Sequence, residues 1–187
     1  MRTIFTEIPN LLLLEPDCNR DRRGFFMETW REEWRAELGL EHHFIQDNHA
    51  RSEDPGVLRG LHFQRPPHAQ GKLVWVVRGS VFDVAVDLRV GSPTYGTFFG
   101  RMLSAENALR MYVPRGFAHG YITLEPGTEF CYKVDAYYNP EAEGGLCWND
   151  PDLNIPWPDT SPLLSEKDTR LPLLRELDSP FTWNGKQ

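Results

Sequence analysis

Ser80-Val81-Phe82-Asp83-Val84-Ala85-Val86-Asp87-Leu88-Arg89, SVFDVAVDLR, alternates with a period of two: Phe82, Val84, Val86 and Leu88 fall on one face, Asp83, Ala85 and Asp87 on the other. Alternation of this length is the pattern of a β-strand and does not fit a helix face. Residues 73–77 (LVWVV) precede it, and Arg78-Gly79 between the two runs predicts a hairpin. Working outward, strands are predicted at 45–51, 57–64, 97–103, 110–113, 117–124 and 128–137. Turn signals separate them at Pro66-Pro67, Ser92-Pro93, Glu106-Asn107, Pro114-Arg115-Gly116 and Pro126-Gly127. Short strands at this spacing predict an antiparallel sandwich or barrel. A helix is predicted over 29–38, where Thr29 and Glu32 have the spacing of a capping box, Trp30, Trp34 and Leu38 share a face, and Gly39 stops it. Past Asn139 prolines dominate, which predicts irregular chain and short helices over the barrel.

The 187 residues suit one domain, 1–187, and suffice for a real core. A net charge of −7 argues against nucleic acid or an anionic membrane surface as partner, but leaves room for a small anion held by a local basic cluster. Cys18, Cys131 and Cys147 are odd in number and lack metal or redox spacing, so reduced thiols are expected. The apolar run from Leu11 to Leu14 is too short for a signal peptide or a membrane span. A cytoplasmic protein is the expectation.

Chemistry enters at Gly56-Val57-Leu58-Arg59-Gly60-Leu61-His62-Phe63-Gln64, an apolar run that carries an arginine and a histidine three residues apart. A packed core accepts neither unless it is paired or used. With Pro114-Arg115-Gly116-Phe117-Ala118-His119, this stretch resembles the two motifs of the cupin barrels. The second motif histidine is replaced by Gln64, the motif glutamate is missing, and Thr123 stands for the usual asparagine. With ligands of the metal set absent, the barrel is expected without a metal.

Longer matches sharpen the resemblance. Arg23-Gly24-Phe25-Phe26-Met27-Glu28, Gln46-Asp47-Asn48, GVLRGLHFQ, Gln70-Gly71-Lys72-Leu73-Val74, FDVAVD at 82–87, Gly116-Phe117-Ala118-His119-Gly120 and Trp148-Asn149-Asp150 resemble, in this order, the dTDP-4-dehydrorhamnose 3,5-epimerases. The resemblance implies a mainly β fold, a cupin-type jelly-roll barrel with a few short helices. It also implies a homodimer and cofactor-independent inversion at carbons 3 and 5 of a dTDP-4-keto-6-deoxyhexose, a step of dTDP-rhamnose biosynthesis. Both carbons flank the carbon-4 ketone, so their protons are acidic, and in the gluco configuration both hydrogens lie on one ring face. One base can take both protons, and one acid opposite can return them.

By the same resemblance His62 is the base, Asp168 its orienter, Lys72 the cation for the enolate oxygen and Tyr132 the acid. Arg23 and Arg59 match diphosphate positions. Phe26, Glu28, Gln46, Asn48, His119, Tyr138, Glu143 and Lys167 match positions for the nucleotide or sugar. Tyr121 departs from the family, which more often has phenylalanine there, and the 65–69 segment also differs. His42, His43, His49 and His68 read as surface or structural residues, and Trp30 and Trp34 as packing. Three other readings compete: an epimerase acting at carbon 3 only, a sugar-binding barrel without turnover, and a metal-dependent cupin dioxygenase. Gln64 and the missing glutamate disfavour the last.

Overall fold

The structure, a computed structural model, describes residues 1–185. The chain opens with β1 (Arg2–Phe5), β2 (Leu12–Glu15), β3 (Asn19–Asp21) and β4 (Gly24–Phe26), followed by α1 (Glu33–Glu37). Then come β5 (Gln46–Ser52), β6 (Leu58–Gln64), β7 (Lys72–Arg78), β8 (Ser80–Asp87), β9 (Arg89–Val90) and β10 (Phe98–Ser104). The series ends with β11 (Arg110–Val113), β12 (Phe117–Thr123), β13 (Thr128–Val134), β14 (Glu143–Gly145) and β15 (Phe181–Thr182). Two antiparallel sheets form the barrel: a six-stranded one ordered β1-β2-β11-β7-β13-β5 and a five-stranded one ordered β10-β8-β12-β6-β14. This is the expected jelly-roll architecture.

Three apolar layers hold it. Between the sheets, Leu13, Val74, Val76, Met111 and Phe130 of one meet Val81, Ala85, Leu103, Phe117 and Tyr121 of the other. The outer face of the five-stranded sheet, with Leu61, Phe63, Val84 and Val86, is covered by Leu146, Leu153, Trp157, Leu174 and Phe181 of the irregular C-terminal region. The outer face of the six-stranded sheet, with Leu12, Leu14 and Leu73, is covered by Trp30, Leu38 and Phe44.

SVFDVAVDLR is thus a strand buried on both faces. Its apolar face turns outward beneath the C-terminal cover, and its polar face lines the interior. Asp83 and Asp87 have no solvent exposure, so each needs partners. Asp87 finds Arg89, whose guanidinium donates to both carboxylate oxygens at 2.8 Å and lies between the rings of Phe117 and Trp183.

Two local expectations are corrected. The helix is shorter than 29–38: it covers Glu33–Glu37 and has no side-chain N-cap. The Glu32 carboxylate, which the box would turn back to the Thr29 N–H, instead accepts from Arg35 at 2.7 Å and meets His43 at 2.7 Å, so the capping box does not form. Nor do β7 and β8 pair as a hairpin, since they lie in different sheets. Gly79, at φ +75°, turns the corner between them, and a Cβ there would stand 2.4 Å from the Thr128 hydroxyl. The 128–137 strand ends at Val134 and the 45–51 strand runs to Ser52. His42, His43, His49 and His68 are exposed, as expected.

Candidate active site

A cavity of about 550 Å³ opens between the sheets, lined by Arg59, His62, Lys72, His119, Tyr132 and Asp168 among others. Its walls have distinct origins. Arg59 and His62 sit on β6 and His119 on β12, both in the five-stranded sheet, whereas Lys72 on β7 and Tyr132 on β13 belong to the six-stranded sheet. His62 and Tyr132 therefore approach the cavity from opposite sides.

Regular alternation would send Arg59 and His62 to opposite faces of β6. They share the cavity because the pairing of β6 with β12 shifts register between His119 and Tyr121. Gly60 makes the shift possible. It sits at φ +130°, and a Cβ on it would come 2.6 Å from the Gly120 Cα and 2.8 Å from the His119 carbonyl. Neither is a flexible side-chain end, so neither can move aside cheaply. Gly60→Ala is expected to destabilise the protein by about 2 kcal/mol or more, a fall in melting temperature of roughly 4–8 °C. A thermal melt within a degree of the parent would show that the backbone can relax there.

His62 Nε2 lies 2.6 Å from the Asp168 carboxylate, which is buried. Burial alone would raise the Asp168 pKa. The His62 hydrogen bond and charge, the Ser165 hydroxyl and the Gly60 N–H outweigh it, and the net effect is a lowered pKa. An ionised carboxylate can only accept, so Nε2 carries the proton and donates. The lone pair of the neutral ring is then on Nδ1. That is a base with its orienter.

His119 Nε2 is hydrogen-bonded to Asp83 Oδ1 at 2.9 Å. Asp83 was not a predicted site residue, although a carboxylate within an apolar strand was the available signal. Burial raises its pKa against the pull of His119 and Lys72, and its second oxygen has no hydrogen-bond partner among the described residues. Lys72 makes no hydrogen bond or ion pair to any described residue. Burial lowers its pKa to about 8, partly offset by Asp83 and Glu143. The Tyr132 hydroxyl likewise makes no hydrogen bond to any described residue, and burial raises its pKa despite Arg59. It stays protonated at neutral pH and is available as a donor.

At the mouth, Tyr138 donates to Glu143 at 3.1 Å and Lys167 Nζ donates to the other Glu143 oxygen at 2.6 Å. Gln46 donates to Asn48 at 2.7 Å on the edge strand β5, on the same strand face as Ala50 of the cavity wall. Arg23 and Phe26 are different. They lie on the β3–β4 ribbon, which pairs only with itself, and with Glu28 they are exposed and absent from the cavity wall. Arg23 is paired with Asp21 at 2.6 Å. Phe25 and Phe26 are 57% and 69% exposed, an unusual place for two aromatic rings. Among the described residues no group of three or more His, Cys, Asp or Glu is placed to hold a metal ion.

Residues 5–176 match the family model for dTDP-4-dehydrorhamnose 3,5-epimerase. The chain is 51% identical over 176 residues to the Salmonella typhimurium dTDP-4-dehydrorhamnose 3,5-epimerase, covering 93% of this chain and 96% of that one. Its structure is similar to that of the Legionella pneumophila dTDP-6-deoxy-D-glucose-3,5-epimerase in complex with dTDP-4-keto-L-rhamnose. The TM-score is 0.94 at 43% identity, with 98% of this chain and 99% of that one covered. A 3'-monoepimerase from Streptomyces bikiniensis in complex with dTDP-quinovose is also similar, with a TM-score of 0.84 at 34% identity, covering 91% of this chain and 86% of that one.

Proposed function

The chain belongs to the dTDP-4-dehydrorhamnose 3,5-epimerase family, and from that premise we propose how its cavity carries out the reaction. It is an isomerase that converts dTDP-4-dehydro-6-deoxy-D-glucose to dTDP-4-dehydro-L-rhamnose, the epimerisation step of dTDP-rhamnose biosynthesis. In our reading His62 Nδ1 removes the proton from carbon 3 or carbon 5, Asp168 steadies the imidazolium, and Lys72 faces the enolate oxygen at carbon 4. Tyr132 then delivers a proton to the other ring face. The observation that carries this assignment is the origin of the two groups in opposite sheets on either side of the cavity; in our reading the sugar plane lies between them. Proton removal and return α to a ketone need no redox cofactor.

Arg59, His119 and the Tyr138–Glu143–Lys167 chain hold the diphosphate and sugar in this reading. The exposed Arg23, Phe26 and Glu28 are assigned to the site of a second copy. A ribbon that presents an arginine and aromatic rings to solvent suits the nucleotide of a neighbouring protomer, and the functional unit is then a homodimer acting on a dTDP-sugar without nucleic acid or membrane. No described helix is long and apolar enough to cross a membrane.

Incubation with dTDP-4-keto-6-deoxyglucose in deuterated water tests the reaction. Deuterium is expected at both carbon 3 and carbon 5; label at carbon 3 alone would favour the mono-epimerase reading.

Lys72 adds a pH dependence. Its ammonium is charged below about 8 and neutral above it, so kcat/KM is expected to fall on the alkaline side as the enolate loses its counter-charge. In Lys72→Arg, which stays cationic to far higher pH, the remaining activity should keep its alkaline limb flat past pH 9. An unchanged limb in that variant would assign the titration to another group.

A further inference from the structure

Tyr121 is the cavity residue that the reaction path leaves unused. It is 5% exposed, and its ring stacks on Phe130 with centroids 3.9 Å apart and planes 19° from parallel. Its hydroxyl makes no hydrogen bond to any described residue. A phenol this enclosed ordinarily finds a partner. The oxygen is not sealed into the core either: it keeps some exposure where the residue lines the cavity. The hydroxyl is a free donor aimed at whatever fills that space.

Its neighbours indicate which atom it meets. On β12 Tyr121 is paired in register with Arg59 of β6 on one side and Asp83 of β8 on the other. Arg59, Asp83 and Tyr132 are its electrostatic neighbours, and Phe130 lies between the Tyr121 and Tyr132 rings. In the reading above, on which this inference rests, Arg59 serves the diphosphate on carbon 1, and Tyr132 returns a proton to carbon 3 as it does to carbon 5. On the pyranose ring, carbon 2 lies between carbon 1 and carbon 3. We propose that the Tyr121 hydroxyl donates a hydrogen bond to the carbon-2 hydroxyl of the hexose, making Tyr121 a specificity-determining residue that favours 2-hydroxy over 2-deoxy 4-keto sugars. Burial raises the phenol's pKa above the usual tyrosine value, which keeps the proton in place for donation. Phenylalanine at this position would keep the stack on Phe130 and leave the substrate hydroxyl unmatched.

The test pairs one protein atom with one substrate atom. Wild type and Tyr121→Phe are each assayed with dTDP-4-keto-6-deoxyglucose and with its 2-deoxy analogue, the analogue's inhibition constant giving the comparison if its turnover is slow. Wild type is expected to prefer the 2-hydroxy sugar by roughly 2- to 12-fold, the range of one neutral hydrogen bond. Tyr121→Phe should bring that preference close to one, mainly by losing ground on the 2-hydroxy sugar, with dTDP affinity unchanged. An equal loss on both sugars, an unaltered preference, or a parallel loss of dTDP affinity would overturn the proposal in favour of a packing or phosphate role. A wild-type enzyme inactive on the 2-hydroxy substrate would overturn the reaction path itself, whereas an active one with unaltered preference removes only the role of Tyr121.

Discussion

His62→Ala is expected to lose deuterium exchange at carbon 3 and carbon 5 together, with the rate falling about a hundred- to ten-thousand-fold. The two positions fall together because one imidazole faces the ring side that carries both hydrogens. Asp168 cannot substitute: it is buried, its pKa is lowered, and the hydrogen bond that held the ring cannot carry a proton from carbon without the ring. His119 is the remaining imidazole of the cavity, but its ring is buried, 6% exposed, and stacked toward Phe130 on a different strand from His62. The variant should still fold and bind dTDP. The His62 side chain is 25% exposed at the cavity wall rather than part of the packed layers, and the backbone pairing of β6 with β12 and β14 does not depend on it. Near-native exchange at either carbon, measured by NMR on folded variant, would place the base elsewhere.

The barrel was legible because strand period and turn residues are local signals. SVFDVAVDLR alternates whether or not its partners are known, and Pro126-Gly127 marks a turn from its own backbone preferences. What such signals leave open is which strands a turn joins. Arg78-Gly79 is indeed a turn, but its glycine carries the chain from one sheet to the other, and only the Thr128 contact across the corner reveals that. The helix prediction failed for a related reason. Thr29 and Glu32 have capping spacing, but the Glu32 carboxylate is taken by Arg35 and by His43, which lies outside the predicted helix.

The site divides along the same line. His62, Lys72, Tyr132, His119 and Arg59 were found through motif resemblance, and the structure brings them around one cavity. Spacing by itself would have separated Arg59 from His62, because the register shift that unites them arises where Gly60 and Gly120 allow two backbones to approach. Asp83 was passed over because it alternated with apolar residues like a solvent-facing position. In a strand covered on both sides, the polar face looks into the barrel and each buried carboxylate there needs a partner: Asp87 has Arg89, and Asp83 has His119 of the cavity. Arg23, Phe26 and Glu28 remain outside the cavity of a single chain, so their matching motifs could be read without revealing which chain's site they serve.

Tyr132→Phe separates the acid from the base. The substitution removes only the hydroxyl, and the ring keeps its place beside Phe130, 6.2 Å between centroids. His62 on the opposite sheet and its partner Asp168 in the C-terminal region are untouched, so the base can still take a proton, exchange it with solvent and return it to the same face of the same carbon. That cycle incorporates deuterium without inverting configuration. Tyr132→Phe is therefore expected to lose product formation by about a hundred- to ten-thousand-fold, the range of a removed general acid. Solvent exchange should survive, above all at carbon 3. Lys72 sustains the remaining exchange because the enolate still forms and still needs its counter-charge. The two variants then differ in kind: His62→Ala abolishes exchange and inversion together, and Tyr132→Phe uncouples them. Of the other phenols at the site, Tyr121 lies on β12 in the same sheet as His62, and Tyr138 is exposed at the mouth and donates to Glu143. Inversion of both centres at the native rate in Tyr132→Phe would mean that the proton reaches the far face from Tyr138 or from water, and the opposite-sheet geometry would no longer explain the stereochemistry.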